Sequence, residues 1–163
     1  MIEVLINIAI AILIGIVLRD IKTVIIFLLI YVPLRTYSGG WHTDKLWKCT
    51  IVSNVLIVAA VIISNLLSRF EFVIYLVPLY LICIIWIVFI SPSDTEAKLL
   101  SDREKNIYKN KVILISVIHV ILFNVFIIFK FYQIAIIIEY VYWIQSIMLL
   151  VNIIHKKRII TRS

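Results

Sequence analysis

The sequence predicts an all-α helical bundle embedded in a membrane, and three observations carry the prediction. Hydrophobic residues make up 64% of the chain, against about 45–50% in soluble domains. They fall into six runs of twelve to twenty-one residues, at 2–18, 23–34, 50–67, 72–90, 112–129 and 131–151. The basic residues behind the net charge of +7 sit in short clusters between those runs. That is how topology signals are distributed, and a nucleic-acid partner is not expected. No internal repeat is visible, so residues 1–163 are read as one polytopic domain.

Taken in order, residues 2–18 give a helix just long enough to cross a hydrocarbon core of roughly 30 Å. The chain starts Met1-Ile2-Glu3, with neither a basic leader nor a small-residue cleavage site, so this segment is expected to be retained. The run at 23–34 covers only about 18 Å as a helix and must borrow flanking residues or re-enter. Pro33 restricts Val32 or marks a kink, and Gly39 and Gly40 permit unusual backbone angles, so an irregular turn is predicted over the segment that follows. Runs 50–67 and 72–90 each span, joined by the short Ser68–Glu71 link. Residues 91–111 form the one long hydrophilic loop, opened by Pro92, whose DREKNIYKNK half is predicted as a surface helix. Two last spans, separated only by Lys130, lead to the tail HKKRIITRS. The expectation is therefore five convincing spans plus a short, re-entrant or borrowed one over residues 21–38.

Counting charges assigns the faces. In a six-span arrangement with a cytoplasmic N-terminus, one side collects Arg35, Lys45, Lys48, Lys98, Arg103, Lys105, Lys109, Lys111, Lys156, Lys157, Arg158 and Arg162, twelve of the sixteen Lys and Arg. The other side receives Arg19, Lys22, Arg69 and Lys130. The positive-inside rule places the richer face, with both termini, in the cytoplasm. Were the second run re-entrant, only the N-terminal end would change sides.

The stretch from Arg35 to Cys49, RTYSGGWHTDKLWKC, gathers a basic residue, two glycines, a histidine and a thiol at a membrane edge. A nucleophilic cysteine needs its thiolate, and a histidine, a nearby cation or a helix N-terminus can supply it. Cys49 has His42 upstream, Arg35, Lys45 and Lys48 nearby, and the start of the third helix beneath it. On one continuous helix, positions seven apart lie about 10.5 Å apart along the axis. His42 is therefore expected on a loop that folds back through Gly39 and Gly40, or from a second subunit. The bland alternatives stay open: an incidental His and Cys, or a metal site from His42, Asp44 and Cys49, for which no second close set completes a tetrahedron.

The constellation Arg35, Gly39, Gly40, His42 and Cys49, with Ser53 one turn further on, resembles the AgrB family (accessory gene regulator protein B). The resemblance extends to the multi-span layout and the Pro92-led charged loop, from about residue 24 onward. It implies a membrane cysteine endopeptidase of the bacterial cytoplasmic membrane. That family removes the C-terminal part of a short AgrD precursor through a cysteine acyl-enzyme, and the acyl group is cyclised into a quorum-sensing autoinducing peptide. By the resemblance, Cys49 is nucleophile, His42 general base and acid, and Arg35 and Gly40 support the site. It further implies a homodimer and no cofactor. The residue orienting His42 stays open between Asp44, Asp94 and Glu96.

Other polar residues give the second function class. His119 and Glu139 lie inside apolar runs, where ionisable groups are functional candidates by default. They suit a small transporter or a non-catalytic membrane subunit with a proton path, or else a hydrogen-bonded helix contact with Asn124, Gln133 or Gln145. Cys83 reads as packing, Tyr31, Tyr37, Trp41 and Trp47 as interfacial anchors, and the HKKR cluster as an anchor on anionic membrane lipids.

Overall fold

The computed structural model describes the backbone of residues 2–40, 46–68, 73–93 and 101–160, with side chains for 7–40, 50–68, 73–93 and 101–155. Among the described residues the chain forms six helices: α1 (Ile2–Val17), α2 (Ile21–Ser38), α3 (Leu46–Leu67), α4 (Val73–Ile90), α5 (Asp102–Ile128) and α6 (Tyr132–Ile160). Helices α2 to α6 are each long and apolar enough to cross a membrane. The protein is an all-α, multi-pass membrane bundle.

Of the two alternatives for residues 21–38, the borrowed flanks hold: α2 is one helix of 18 residues that runs through Pro33 and is long and apolar enough to span. Two expectations need correction, the first being which helix is the shorter: it is α1, with 16 residues. With α2 running to Ser38, the predicted irregular turn begins only at Gly39. The polar residues that seemed to end the run are absorbed by the helix itself, since the Thr36 hydroxyl donates to the Val32 carbonyl at 2.7 Å and the Ser38 hydroxyl to the Leu34 carbonyl at 2.7 Å. A hydroxyl satisfied by its own backbone adds little cost to a spanning helix. Similarly, DREKNIYKNK is no separate surface helix but the first turns of α5. Ser101 caps that helix with Glu104 in a reciprocal capping box.

Helix α6 is the axis of the bundle. It packs against α2, α3, α4 and α5, while α1 leans on α2 and α3. In its spanning window 61% of residues are buried, against 22% in α3, α4 and α5. Ala135, Ile136, Ile137, Ile138, Val141 and Tyr142 fill the centre with Phe27, Leu34, Tyr80 and Ile87. Lipid repels polar groups and accepts hydrocarbon on any face, so polarity rather than apolarity selects the inner helix. Helix α6 carries Gln133, Glu139, Gln145 and Asn152 and lies inside, whereas α4 turns Tyr75, Ile82, Ile85 and Phe89 outward.

Two tight corners close one end. At α1–α2 the Asp20 amide donates to the Gly15 carbonyl and Arg19 to Ile16; at α5–α6 Phe131 donates to Phe126 and Lys130 to Ile127. Both are Schellman endings. The left-handed position is taken by Arg19 (φ 55°) and Lys130 (φ 60°) rather than glycine. Asp20 then caps α2 through the Thr23 amide at 3.2 Å and hydroxyl at 2.8 Å. Asn65 of α3 and Gln133 of α6 donate to the same carboxylate at 2.9 and 3.2 Å. Burial works to raise the Asp20 carboxyl, but the hydrogen bonds from Asn65, Thr23 and Gln133 prevail and hold it below its ordinary range.

Candidate functional site

The other end of α2 carries the chemistry-bearing stretch. Arg35 lies in the last turn of the helix, where a cation complements the exposed carbonyls. Gly39 ends the helix at φ 75° and Gly40 follows at φ 130°. Both angles lie where a side chain is strained. A Cβ on Gly39 would also be driven into the Ser93 carbonyl oxygen, and one on Gly40 into the Arg35 guanidinium. Gly39 is thus required by geometry and by space, and Gly40 by its backbone angle, since the end of the Arg35 side chain can shift.

Four carbonyls at this terminus, those of Leu34, Arg35, Ser38 and Gly39, are occupied. Leu34 accepts from the Ser38 hydroxyl, and Arg35 from the Gly39 amide at 3.2 Å. Ser38 accepts from the Ser93 amide at 3.0 Å, which pairs the segment after α4 with the end of α2 in an isolated parallel bridge, Gly39 to Ser93. The Gly39 carbonyl takes two donors, Arg35 Nη1 at 2.8 Å and Gln145 Nε2 at 2.7 Å. Gln145 Nε2 also reaches Ser38 Oγ at 2.6 Å, and Asn152 Nδ2 reaches Ser93 Oγ at 2.7 Å. Beside this knot, Lys111 donates to the Tyr37 hydroxyl at 3.2 Å and sits 4.5 Å from that ring's centre. Lys109 caps the end of α4 through the Val88 and Phe89 carbonyls.

Of the residues singled out in the sequence, Arg35, Gly39 and Gly40 are brought together here. Ser53 lies half-buried on α3, one turn beyond Cys49. Cys49 is the fourth residue of α3, within its first turn, and its side chain is outside the described residues. His42, Asp44, Asp94 and Glu96 also lie outside them. Sequence reasoning missed Ser93, Gln145 and Asn152 as members of this end. The signal was a row of amides on an otherwise apolar helix, since Gln145 and Asn152 stand seven apart and share a face of α6.

The second group of polar residues is separate. His119 Nδ1 lies 3.2 Å from the Tyr142 hydroxyl, joining α5 to α6. Glu139 is fully buried, and neither carboxyl oxygen has a hydrogen-bond partner among the described residues. The three amides considered as its partners are engaged elsewhere: Gln133 at Asp20, Gln145 at Gly39, and Asn124 on the Val120 carbonyl of its own helix. Cys83 is a buried thiol on the inner face of α4.

No curated protein and no solved structure matches the chain. Residues 1–149 of the 163 match the family model of accessory gene regulator B, starting well ahead of residue 24. That family processes the AgrD precursor peptide in agr quorum sensing. With all but its last fourteen residues covered by the match (149 of 163), the chain belongs to the AgrB family.

Proposed function

We propose that this protein is a membrane-embedded cysteine endopeptidase that cuts the C-terminal part from its AgrD-like precursor and keeps the remaining acyl group activated for cyclisation. The observation that carries the reading is the built turn at Arg35, Gly39 and Gly40. Three hydrogen bonds, from Arg35 and Gln145, and two glycine positions of positive φ fix the chain just before His42. Cys49 follows in the first turn of α3, where the unpaired amides of a helix N-terminus favour a thiolate.

In this mechanism His42 takes the thiol proton as Cys49 Sγ attacks the scissile carbonyl, and the tetrahedral oxyanion collapses by expelling the C-terminal fragment. The leaving amine receives the proton from His42, and the N-terminal part stays on Cys49 as a thioester. An internal thiol or hydroxyl of the bound peptide then attacks that thioester, closes the ring and returns the proton and the free thiol to the enzyme. Making a thioester from an amide is uphill, whereas acyl transfer to another thiol is nearly even. Water would discard the activated bond, so a site walled by apolar helices serves the reaction by excluding it. Arg35 and Gly40 support the turn, Asp44 is the nearest carboxylate in sequence to His42, and Ser53 lines α3 one turn beyond the nucleophile. No cofactor enters the scheme.

The charge count puts the site on the cytoplasmic face of the bacterial membrane, where a ribosomally made precursor arrives. The working unit is a homodimer held in lipid. Cys49→Ala and His42→Ala are each expected to abolish precursor cleavage while the protein still accumulates in the membrane. Normal processing by both variants would overturn the reading.

A further inference from the structure

An amide in the middle of a spanning helix is costly unless both its ends are used for something. Gln145 is fully buried on α6, thirteen residues beyond its first residue, Tyr132. Its orientation is fixed by chemistry: the Gly39 carbonyl can only accept, so the nitrogen faces it at 2.7 Å. The same nitrogen lies 2.6 Å from Ser38 Oγ, whose proton is already committed to the Leu34 carbonyl. Both hydrogens of the amide are thereby spent on the two residues where α2 ends. Oε1 is buried and has no partner among the described residues. Two turns further along the same face, Asn152 holds Ser93 at 2.7 Å, and the Ser93 amide in turn holds the Ser38 carbonyl at 3.0 Å. The central helix therefore grips both partners of the Gly39–Ser93 bridge, one amide to each.

We propose that Gln145 is a positioning residue for the cleavage reaction. It sets the direction in which the chain leaves Gly39 and Gly40, and through that the approach of His42 to Cys49; Asn152 backs it through Ser93. The inference rests on the peptidase reading. Gly39 stands at φ 75°, outside helical geometry, so the direction in which the chain leaves it depends on what holds its carbonyl. Arg35 Nη1 grips that oxygen from within α2, whereas Gln145 ties it to the axis of the bundle. An error of about 1 Å between reacting groups costs on the order of a hundredfold in rate.

The same helix supplies the control, because Gln133 is an amide tied into the Asp20 corner at the opposite end. Gln145→Met keeps the length of the side chain and removes the donors; Gln145→Asn keeps the amide and shortens its reach by one methylene; Gln133→Met does to the far corner what Gln145→Met does to the motif. Cleavage of the precursor, the KM and kcat of each variant, and the pH profile of iodoacetamide alkylation at Cys49 are measured beside Cys49→Ala. The expected result is a fall in kcat of about 10- to 100-fold for Gln145→Met with KM little changed. The Cys49 alkylation profile should also move toward that of an ordinary thiol, near about pH 8.5, while Gln133→Met retains wild-type values of both. Should Gln145→Met fail to accumulate in the membrane, Gln145→Asn is read against the same two quantities. A variant that folds and cuts at the wild-type rate, or one whose loss merely follows its folded fraction with the Cys49 profile unmoved, overturns the inference. Cleavage by Cys49→Ala would instead overturn the peptidase reading on which it rests.

Discussion

At the Asp20 end of the bundle, one carboxylate draws donors from α2, α3 and α6 into a corner made of two three-residue turns. At the Gly39 end, one backbone carbonyl draws donors from α2 and α6, and the chain around it leaves helical geometry altogether. The first end is tied by side chains acting on a side chain, the second by side chains acting on the main chain. A side-chain knot fixes how helices meet. A main-chain knot fixes the direction in which the chain leaves the helix, and on the proposed reading His42 and Cys49 follow within ten positions. The contrast teaches that the same amide type on the same helix can tie helices together at one end, through Gln133, and hold a main-chain turn at the other, through Gln145; on the proposed reading that turn serves the chemistry.

The largest effect expected is at the nucleophile. Cys49→Ala should lower precursor cleavage by at least about a thousandfold, as removal of a covalent catalyst does, without altering thermal unfolding in detergent. Next comes Gly39→Ala, which combines a strained φ of 75° with a collision against the Ser93 carbonyl oxygen. It should cost about 1–3 kcal/mol and, unlike a change at the Asp20 end, should also take processing with it; precursor turnover per folded molecule decides. Asp20→Asn lies the length of α2 away, 18 residues or about 27 Å. It is expected to lower stability by about 1 kcal/mol, because one carboxylate oxygen that accepts from Asn65 and Gln133 becomes an amide nitrogen or turns away from them, and to leave turnover per folded molecule unchanged. Activity lost in proportion beyond stability would break the comparison between the two ends.

The Asp20 corner also has a pH signature. Its carboxyl is held below the ordinary value by donors that win over burial. Its contribution is thus complete above the unfolded value of about 3.9 and is lost as pH falls through the lower folded value. The stability gap between wild type and Asp20→Asn should stay constant between about pH 7 and 5 and close below about pH 4, as read by unfolding midpoints. The smallest effect is expected from Lys111→Met, which removes the contact with the Tyr37 ring and hydroxyl. Exposed contacts of that kind are worth about 0.5–1 kcal/mol.

What the sequence made legible follows the same division. Run 50–67 lies within α3, and runs 72–90 and 131–151 are taken up by α4 from Val73 and by α6 from Tyr132, because unbroken hydrocarbon has only one stable backbone in a bilayer. Residues 21–38 were harder to read, since Thr36, Ser38 and Arg35 look like an ending until their bonds to Val32, Leu34 and Gly39 are seen. The Ser101 and Glu104 box was present in the sequence as the start of α5, yet the charge that follows it resembles a surface segment. At the site, Arg35, Gly39 and Gly40 could be chosen from residue type and spacing alone. Gln145 and Asn152 stand out in the sequence as amides on one face of an apolar helix, but nothing there joins them or Ser93 to this end, because they come from segments 50 to more than 100 residues away and only the packing of α6 at the centre brings them in.

The central claim is that Cys49 becomes acylated by the precursor. The most direct measurement is the intact mass of the purified protein after brief mixing with the precursor peptide encoded beside its gene, wild type against Cys49→Ala. The account predicts a covalent adduct on the wild type alone, heavier by the N-terminal acyl part of the precursor, together with a released C-terminal fragment. Release of that fragment by Cys49→Ala would contradict it, as would the absence of both adduct and fragment from a wild-type protein whose Cys49 alkylates no faster than a model thiol.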